Sequence, residues 1–162
     1  MIHLNRLYKQ QKKGNTMNKQ QQMKQILKET IDYYAKDPDN RRSVDKRGNC
    51  RYTLGDKHCA IGRYLKEEYQ REDWIENVMS VNELCESSDA GWNIDWCLRE
   101  DVQGLDADFW SSLQGFHDSQ SCWVTEECCE HVIDDESIGL SRIGKDKYRT
   151  IEKKINMGGY HD

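Results

Sequence analysis

Apolar side chains recur at three- and four-residue spacing in several segments, which predicts a mainly helical chain. The clearest stripe lies in residues 18–36 and comprises Met23, Ile26, Leu27, Ile31 and Tyr34. Asp106 is a favourable N-cap for a second helix over 107–118. Further helices are expected over 58–70, 72–86, 125–133 and 146–156. A short strand over 49–54 and a turn at 55–57 complete an α+β class: a mainly helical single domain with one small β-hairpin or sheet.

The 162 residues fit one ordinary domain, and five Trp with eight Tyr argue against disorder. We assign residues 1–22 to a polar N-terminal extension and 23–162 to the globular domain. The codons for Lys12-Lys13-Gly14 form a purine run where a ribosome-binding site for Met17 would lie. Translation is therefore expected to start at Met17.

The cellular compartment is inferred from the start of the chain and its cysteines. The first residues have no apolar core of a secretory signal, and no apolar run is long enough to cross a bilayer. Seven cysteines, an odd number, argue against a closed disulfide framework. We therefore expect a cytoplasmic protein with reduced thiols, most of them buried as small apolar side chains.

Charge is segregated along the chain. Residues 1–57 carry a net +8, residues 58–140 a net −16 and residues 141–162 a net +3. Either the basic ends neutralise the acidic middle by folding against it, or a face of one sign remains exposed.

The best catalytic candidates are Cys59, His117 and Asp118. A cysteine at the first turn of a helix is favoured as thiolate, a histidine can take its proton, and a carboxylate can fix the histidine tautomer. Adjacent helix residues point about 100° apart, so Asp118 is expected to orient His117 poorly. The alternative is that Cys59 packs in the core and His117 lies at a helix end.

Cys50 and Cys59 raise two further alternatives, because a predicted hairpin could bring both thiols together. A structural zinc site could add ligands from Cys122, Cys128, Cys129, His131, His117 and His58. However, the tight C-x₂₋₄-C pairs of zinc sites do not occur, so no metal or other cofactor is assigned. A redox pair between Cys50 and Cys59 is the other alternative.

Four arginines, Arg41, Arg42, Arg51 and Arg63, flank the predicted strand and the segment after it. Guanidinium groups bind phosphate with two parallel hydrogen bonds, and Tyr52 could stack on a base. These five residues form a candidate site for a small anionic, nucleotide-like ligand. The alternative is that the arginines pair with the acidic middle block.

Three strings together resemble a group of small uncharacterised proteins of tailed bacteriophages and prophages. They are Cys50-Arg51-Tyr52, Cys59-Ala60-Ile61-Gly62-Arg63 and Leu113-Gln114-x-x-His117-Asp118. The resemblance covers roughly residues 23–120 and implies a phage setting without implying an activity.

The function expected is that of a small phage accessory protein that binds a host protein or a nucleotide-like ligand and so modulates a host process. Direct nucleic-acid binding and membrane association are not expected. The alternative is a cysteine-dependent hydrolase or transferase that uses Cys59 and His117. A structural virion component is the third class, and the chain lacks the coiled-coil or repeat character that would favour it.

Overall fold

The structure is a computed structural model that describes residues 17–74, 79–86, 93–124 and 139–160. Its helices are α1 (Lys19–Tyr34), α2 (Pro38–Arg41), α3 (Val81–Glu86), α4 (Ala107–Asp118) and α5 (Arg142–Asn156). Strands β1 (Thr53–Leu54) and β2 (Lys57–His58) form a two-stranded antiparallel sheet, with Thr53 opposite His58. The expected α+β class, mainly helical with one small sheet, is confirmed.

The two best-predicted helices begin at side-chain caps. The Asn18 side chain accepts from the Gln21 backbone N–H, and the Asp106 side chain accepts from those of Asp108 and Phe109. Such caps satisfy backbone donors that the first helical turn leaves unpaired. The residues predicted to form the core stripe of α1 are buried or half-buried, since Ile31 is only partly exposed.

The core lies between α1, α4 and α5, with α3 packed on α4. Its largest fully buried side chains include Trp110, Trp123, Tyr34, Phe109 and Phe116. These rings interlock edge to face: Phe116 meets Trp123 with ring centroids 5.1 Å apart and an interplanar angle of 82°. This aromatic packing fixes α4, which supplies much of the site described below.

The predicted helix over 58–70 is wrong. The structure has two short 3₁₀ turns there, Gly62–Tyr64 and Glu67–Tyr69. Between them Leu65 forms an antiparallel bridge with Leu98, in which Lys66 N–H donates to the Cys97 carbonyl at 2.8 Å. The backbone hydrogen bonds here thus go to residues 97–99 and not to the next turn of a continuing helix.

Other predicted boundaries differ from the structure. The first helix ends at Tyr34, two residues before the end of the predicted segment, and Pro38 opens the short helix α2, where its fixed φ is favourable. The final helix begins at Arg142, earlier than expected, because the Ser141 side chain caps it through the Gly144 N–H. Only Val81–Glu86 of the predicted 72–86 helix is observed as helix, with 75–78 outside the described residues. The predicted helix 125–133 also lies outside them.

Candidate functional site

A cleft of about 610 Å³ opens between residues 48–52, residues 79–83 and α4. Ser111, Gln114 and Asp118 line it from α4, at the three- and four-residue spacing that places side chains on one helix face. The cleft therefore lies where the loop before the small sheet meets the C-terminal half of α4.

The loop that carries Cys50 is held by its own hydrogen bonds. Asp45 N–H donates to the Asn49 carbonyl at 2.8 Å, and the Asp45 carboxylate accepts from the backbone N–H groups of Arg47 and Asn49, both at 2.9 Å. Gly48 has φ 83°, a left-handed conformation that glycine adopts without strain. The result is a tight turn that presents the half-buried Cys50 to the cleft.

At the floor of the cleft Cys50 meets the end of α4. Cys50 Sγ lies 3.7 Å from His117 Nδ1, and the same nitrogen lies 2.9 Å from Asp118 Oδ1. One donor atom from each of the three residues falls within 4.8 Å of the other two. We call these three residues the floor triad.

The expectation that Asp118 would orient His117 poorly is wrong. The His117 ring is completely buried, whereas the Asp118 side chain is 40% exposed, so the two residues do point apart. Their atoms still meet, because α4 ends at Asp118 and the carboxylate bends back across the ring edge. Asp118 and Cys50 nevertheless both contact Nδ1. In a catalytic triad the carboxylate binds one ring nitrogen and the nucleophile the other, so this arrangement differs from a triad.

The other ring nitrogen, His117 Nε2, is buried and has no hydrogen-bond partner among the described residues. The ring instead packs against Tyr34, with centroids 4.4 Å apart and an interplanar angle of 71°. Packing against an aromatic ring, together with the Nδ1 contact, thus fixes the orientation of this imidazole.

Gln114 holds two members of the floor triad together. Its Nε2 donates to Cys50 Sγ at 3.3 Å and to Asp118 Oδ1 at 2.6 Å. Its Oε1 accepts from the Ile61 N–H at 3.4 Å. Gln114 was not among the site residues predicted from the sequence, although its place three residues before His117 in the third string was a usable signal.

Cys59, the predicted nucleophile, is fully buried and does not line the cleft. It precedes a 3₁₀ turn instead of opening an α-helix, and its Sγ accepts from the Gly62 N–H at 3.3 Å. Its thiol lies close enough to Cys50 to raise the pKa of that residue. We call residues 59–62 the CAIG segment; in this structure it belongs to the core.

The surroundings of the floor triad favour a charged pair, with a protonated His117 beside an ionised Asp118. Burial opposes the charged imidazole, but the Asp118 carboxylate and the Cys50 thiol outweigh it, and the pKa of His117 is raised. Burial is likewise outweighed at Asp118, where the hydrogen bond from His117 lowers the pKa of the carboxyl. The neighbouring Cys59 thiol and burial raise the pKa of Cys50, so its resting form is the thiol.

Two predicted ligand-binding arginines are engaged within the protein. Arg42 is buried: its Nε donates to the His117 carbonyl at 3.1 Å and its Nη2 to the Asp118 carbonyl at 2.9 Å. Arg42 thus caps the C-terminal end of α4. Arg51 lines the cleft, but its guanidinium forms a fork with the Asp45 carboxylate at 3.1 and 2.9 Å.

The remaining predicted ligand-binding residues lie in two places. Arg41 and Arg63 stack on Tyr33, with guanidinium carbons 4.7 and 4.2 Å from the ring centroid. Tyr52 is buried, lines the cleft and packs against Trp74 at 5.7 Å between centroids. The five residues predicted to bind one anion therefore do not converge, and their ligand stays a prediction.

Among the described residues, Cys50, Cys59, Cys97 and Cys122 form no disulfide. Of the broader zinc set considered from sequence, Cys128, Cys129 and His131 lie outside the described residues. No helix among the described residues is both long enough and apolar enough to span a bilayer. No protein-family model, curated protein or solved structure matches this chain.

Proposed function

We propose that the protein acts by binding a small polar molecule in the cleft above the floor triad. One observation carries this proposal: a cleft of about 610 Å³ ends on a floor where a thiol, a carboxylate and an amide converge. Small-molecule sites have volumes of roughly 300–1,000 Å³ and few, convergent polar groups.

The charges of the lining indicate the class of ligand. Glu83 and Asp118 both line the cleft, whereas the guanidinium of Arg51 is already paired with Asp45. A neutral or amine-bearing ligand with several hydrogen-bonding groups fits this balance better than a phosphate does. The nucleotide-like ligand expected from sequence finds less support in the cleft, since Arg41, Arg42 and Arg63 do not line it.

Gly115 offers a way to close the cleft without disturbing the core. It lies exposed on α4, lines the cleft, and an added Cβ there would have nothing within 4 Å. Gly115→Trp should therefore fill the cleft, while Gly115→Ala should leave it open and stabilise the helix by about 0.5–1 kcal/mol.

The test is a thermal-shift and ligand-observed NMR screen of amines, amides, sugars and amino acids, with nucleotides included. We expect hits that raise the melting temperature of the wild type and of Gly115→Ala but not of Gly115→Trp. Absence of any hit at millimolar concentration, or hits that Gly115→Trp still binds, would contradict the proposal.

A cysteine-dependent hydrolase or transferase is the second candidate, with Cys50 in place of Cys59 as nucleophile. The contact of 3.7 Å between Cys50 Sγ and His117 Nδ1 at the cleft floor favours it. In such a reaction the Cys50 thiol transfers its proton to Nδ1 of a neutral His117, and the thiolate attacks a substrate carbonyl to form a thioester. The imidazolium returns that proton to the leaving group as it departs, and water then hydrolyses the thioester. Hydrolysis of activated esters that is lost in Cys50→Ala and kept in Cys59→Ala would support this candidate over simple binding.

The biological setting is a separate proposal. A phage origin is supported by the three sequence strings alone, and a host-protein partner is proposed from that setting and from the segregated charge of the chain. Affinity purification from a bacterial lysate, with Gly115→Trp as a matched bait, would identify a partner that engages the cleft.

A further inference from the structure

We propose that the floor triad is a metal site: Cys50, His117 and Asp118 bind one thiophilic divalent cation, for which Zn²⁺ is the best match. This goes beyond binding of an organic molecule in the cleft. The three residues supply one sulfur, one nitrogen and one oxygen ligand, all of which zinc accepts in proteins.

The spacing of the donor atoms fits such an ion. A tetrahedral zinc with Zn–S of about 2.3 Å and Zn–N of about 2.0–2.1 Å holds sulfur and nitrogen about 3.6 Å apart. Cys50 Sγ and His117 Nδ1 are 3.7 Å apart. The Nδ1 and Oδ1 atoms, at 2.9 Å, need to separate by only a few tenths of an ångström. The Asp118 side chain is 40% exposed and can make that movement.

Without a metal, hydrogen bonds account for these contacts: Nδ1–H can donate to Asp118, while the Cys50 thiol can donate to the Arg51 carbonyl at 3.9 Å. A cation would replace these hydrogen bonds, because it accepts lone pairs from the thiolate, the imidazole and the carboxylate together.

The surroundings hold the three ligands in place. Gln114 donates to both Cys50 Sγ and Asp118 Oδ1, and such contacts around metal ligands commonly change affinity by about 10–100-fold. The buried guanidinium of Arg42 fixes the backbone of both ligands on α4 through their carbonyl oxygens. The site is therefore preorganised on the side of the core.

Three protein ligands leave the fourth position to the cleft. Cys50 and Asp118 line the cleft, whereas Cys59 lies behind them in the core and is not one of the ligands. Catalytic zinc sites have this pattern of three protein ligands and one position for water or substrate. The metal would thus give the cleft an affinity for coordinating groups such as amines and imidazoles, which the acidic side chains of its lining also favour.

The test uses the full chain, stripped of metal with a chelator and titrated with Zn²⁺ and with Co²⁺ as a spectroscopic probe. We expect one equivalent to bind, with the thiolate-to-cobalt charge-transfer band and the visible bands of a tetrahedral ion. Cys50→Ala should abolish the charge-transfer band, and Asp118→Asn should weaken Zn²⁺ affinity at least about 10-fold.

Matched controls separate ligand loss from loss of fold. Cys122→Ala removes another fully buried thiol and should leave the band unchanged, as should Cys59→Ala. If Cys50→Ala does not fold, Asp118→Asn decides, because its carboxylate is partly exposed and the change keeps its size. Absence of stoichiometric binding, or binding that Asp118→Asn leaves intact, would overturn the proposal, as would a band that Cys59→Ala abolishes. Because metal alone is the probe, these outcomes do not depend on whether the cleft also takes an organic ligand.

Discussion

The CAIG segment and the C-terminal end of α4, residues 114–118, face each other across the same few ångströms and have different roles. Cys59, Ala60, Ile61 and Gly62 are all buried, and at Gly62 the backbone lies too close to the Tyr52 carbonyl for a larger residue. The end of α4 is also packed on one side, but it exposes Gly115 and Asp118 to the cleft. The comparison shows that Cys59, the cysteine predicted to be reactive, is part of the packed core, whereas Cys50 carries the thiol that lines the cleft.

The largest expected effect tests the close packing of the CAIG segment. A Cβ added at Gly62 would lie 2.0 Å from the Tyr52 carbonyl oxygen, which belongs to the backbone and cannot move cheaply. Gly62→Ala should therefore cost about 3 kcal/mol or more of unfolding free energy. Urea denaturation measures it, and Gly115→Ala is the control with open space at Cβ. An unchanged midpoint in Gly62→Ala would show that the segment tolerates a side chain.

The next effect tests the anchoring of α4. Arg42→Met keeps the apolar stem but leaves the buried carbonyls of His117 and Asp118 without their charged donor. We expect a loss of about 2–3 kcal/mol in unfolding free energy. Arg71→Met should leave the urea midpoint nearly unchanged, since the Arg71–Asp73 pair is exposed. Equal effects of the two variants would contradict the anchoring role.

The sequence predicted correctly those elements that local interactions determine, and failed where contacts with distant residues determine the structure. The helix at 107–118 was predictable because Asp106 caps it and the apolar residues lie on its inner face. The segment 58–70 was not, because Arg99 N–H donates to the Tyr64 carbonyl at 2.9 Å and Lys66 pairs with Cys97. Those partners lie more than 30 residues away, and helical spacing says nothing about them.

The site was predicted in part for the same reason. His117 and Asp118, two of the predicted site residues, lie in one cluster because both stand at the end of a predictable helix, and their catalytic role stays a prediction. Choosing between Cys50 and Cys59 required knowing which side of the small sheet faces α4. That is a property of tertiary packing, and residue types and spacing do not contain it.

A smaller effect sharpens the contrast between the two thiols. Cys59 is fully buried and Cys50 only partly, so Cys59→Ala should cost about 1 kcal/mol and Cys50→Ala less. In the native, metal-free protein iodoacetamide should label Cys50 before Cys59, as read by peptide mass spectrometry. Faster labelling of Cys59 would contradict the assignment of Cys59 to the core and of Cys50 to the cleft.

The smallest expected effect concerns the loop that presents Cys50. The backbone N–H of Asn49 and the Arg51 guanidinium lower the pKa of Asp45 from 3.8 to about 2. A lowered carboxyl pKa stabilises the fold above 3.8, and that contribution is lost as the pH falls through about 2. Urea midpoints measured between pH 5 and 2 should fall less steeply in Asp45→Asn than in the wild type. Parallel curves would show that the loop does not depend on this charge.

The contacts of Arg42 with the end of α4 have a consequence for biosynthesis. They join residues 75 and 76 positions apart in the chain, and Cys50 meets His117 across 67. A nascent chain that ends before residue 117 holds the thiol and the guanidinium but neither the imidazole nor the carbonyls that complete their environment. Closing loops of this length costs chain entropy and slows folding, so we expect the polar floor to form after the local helices.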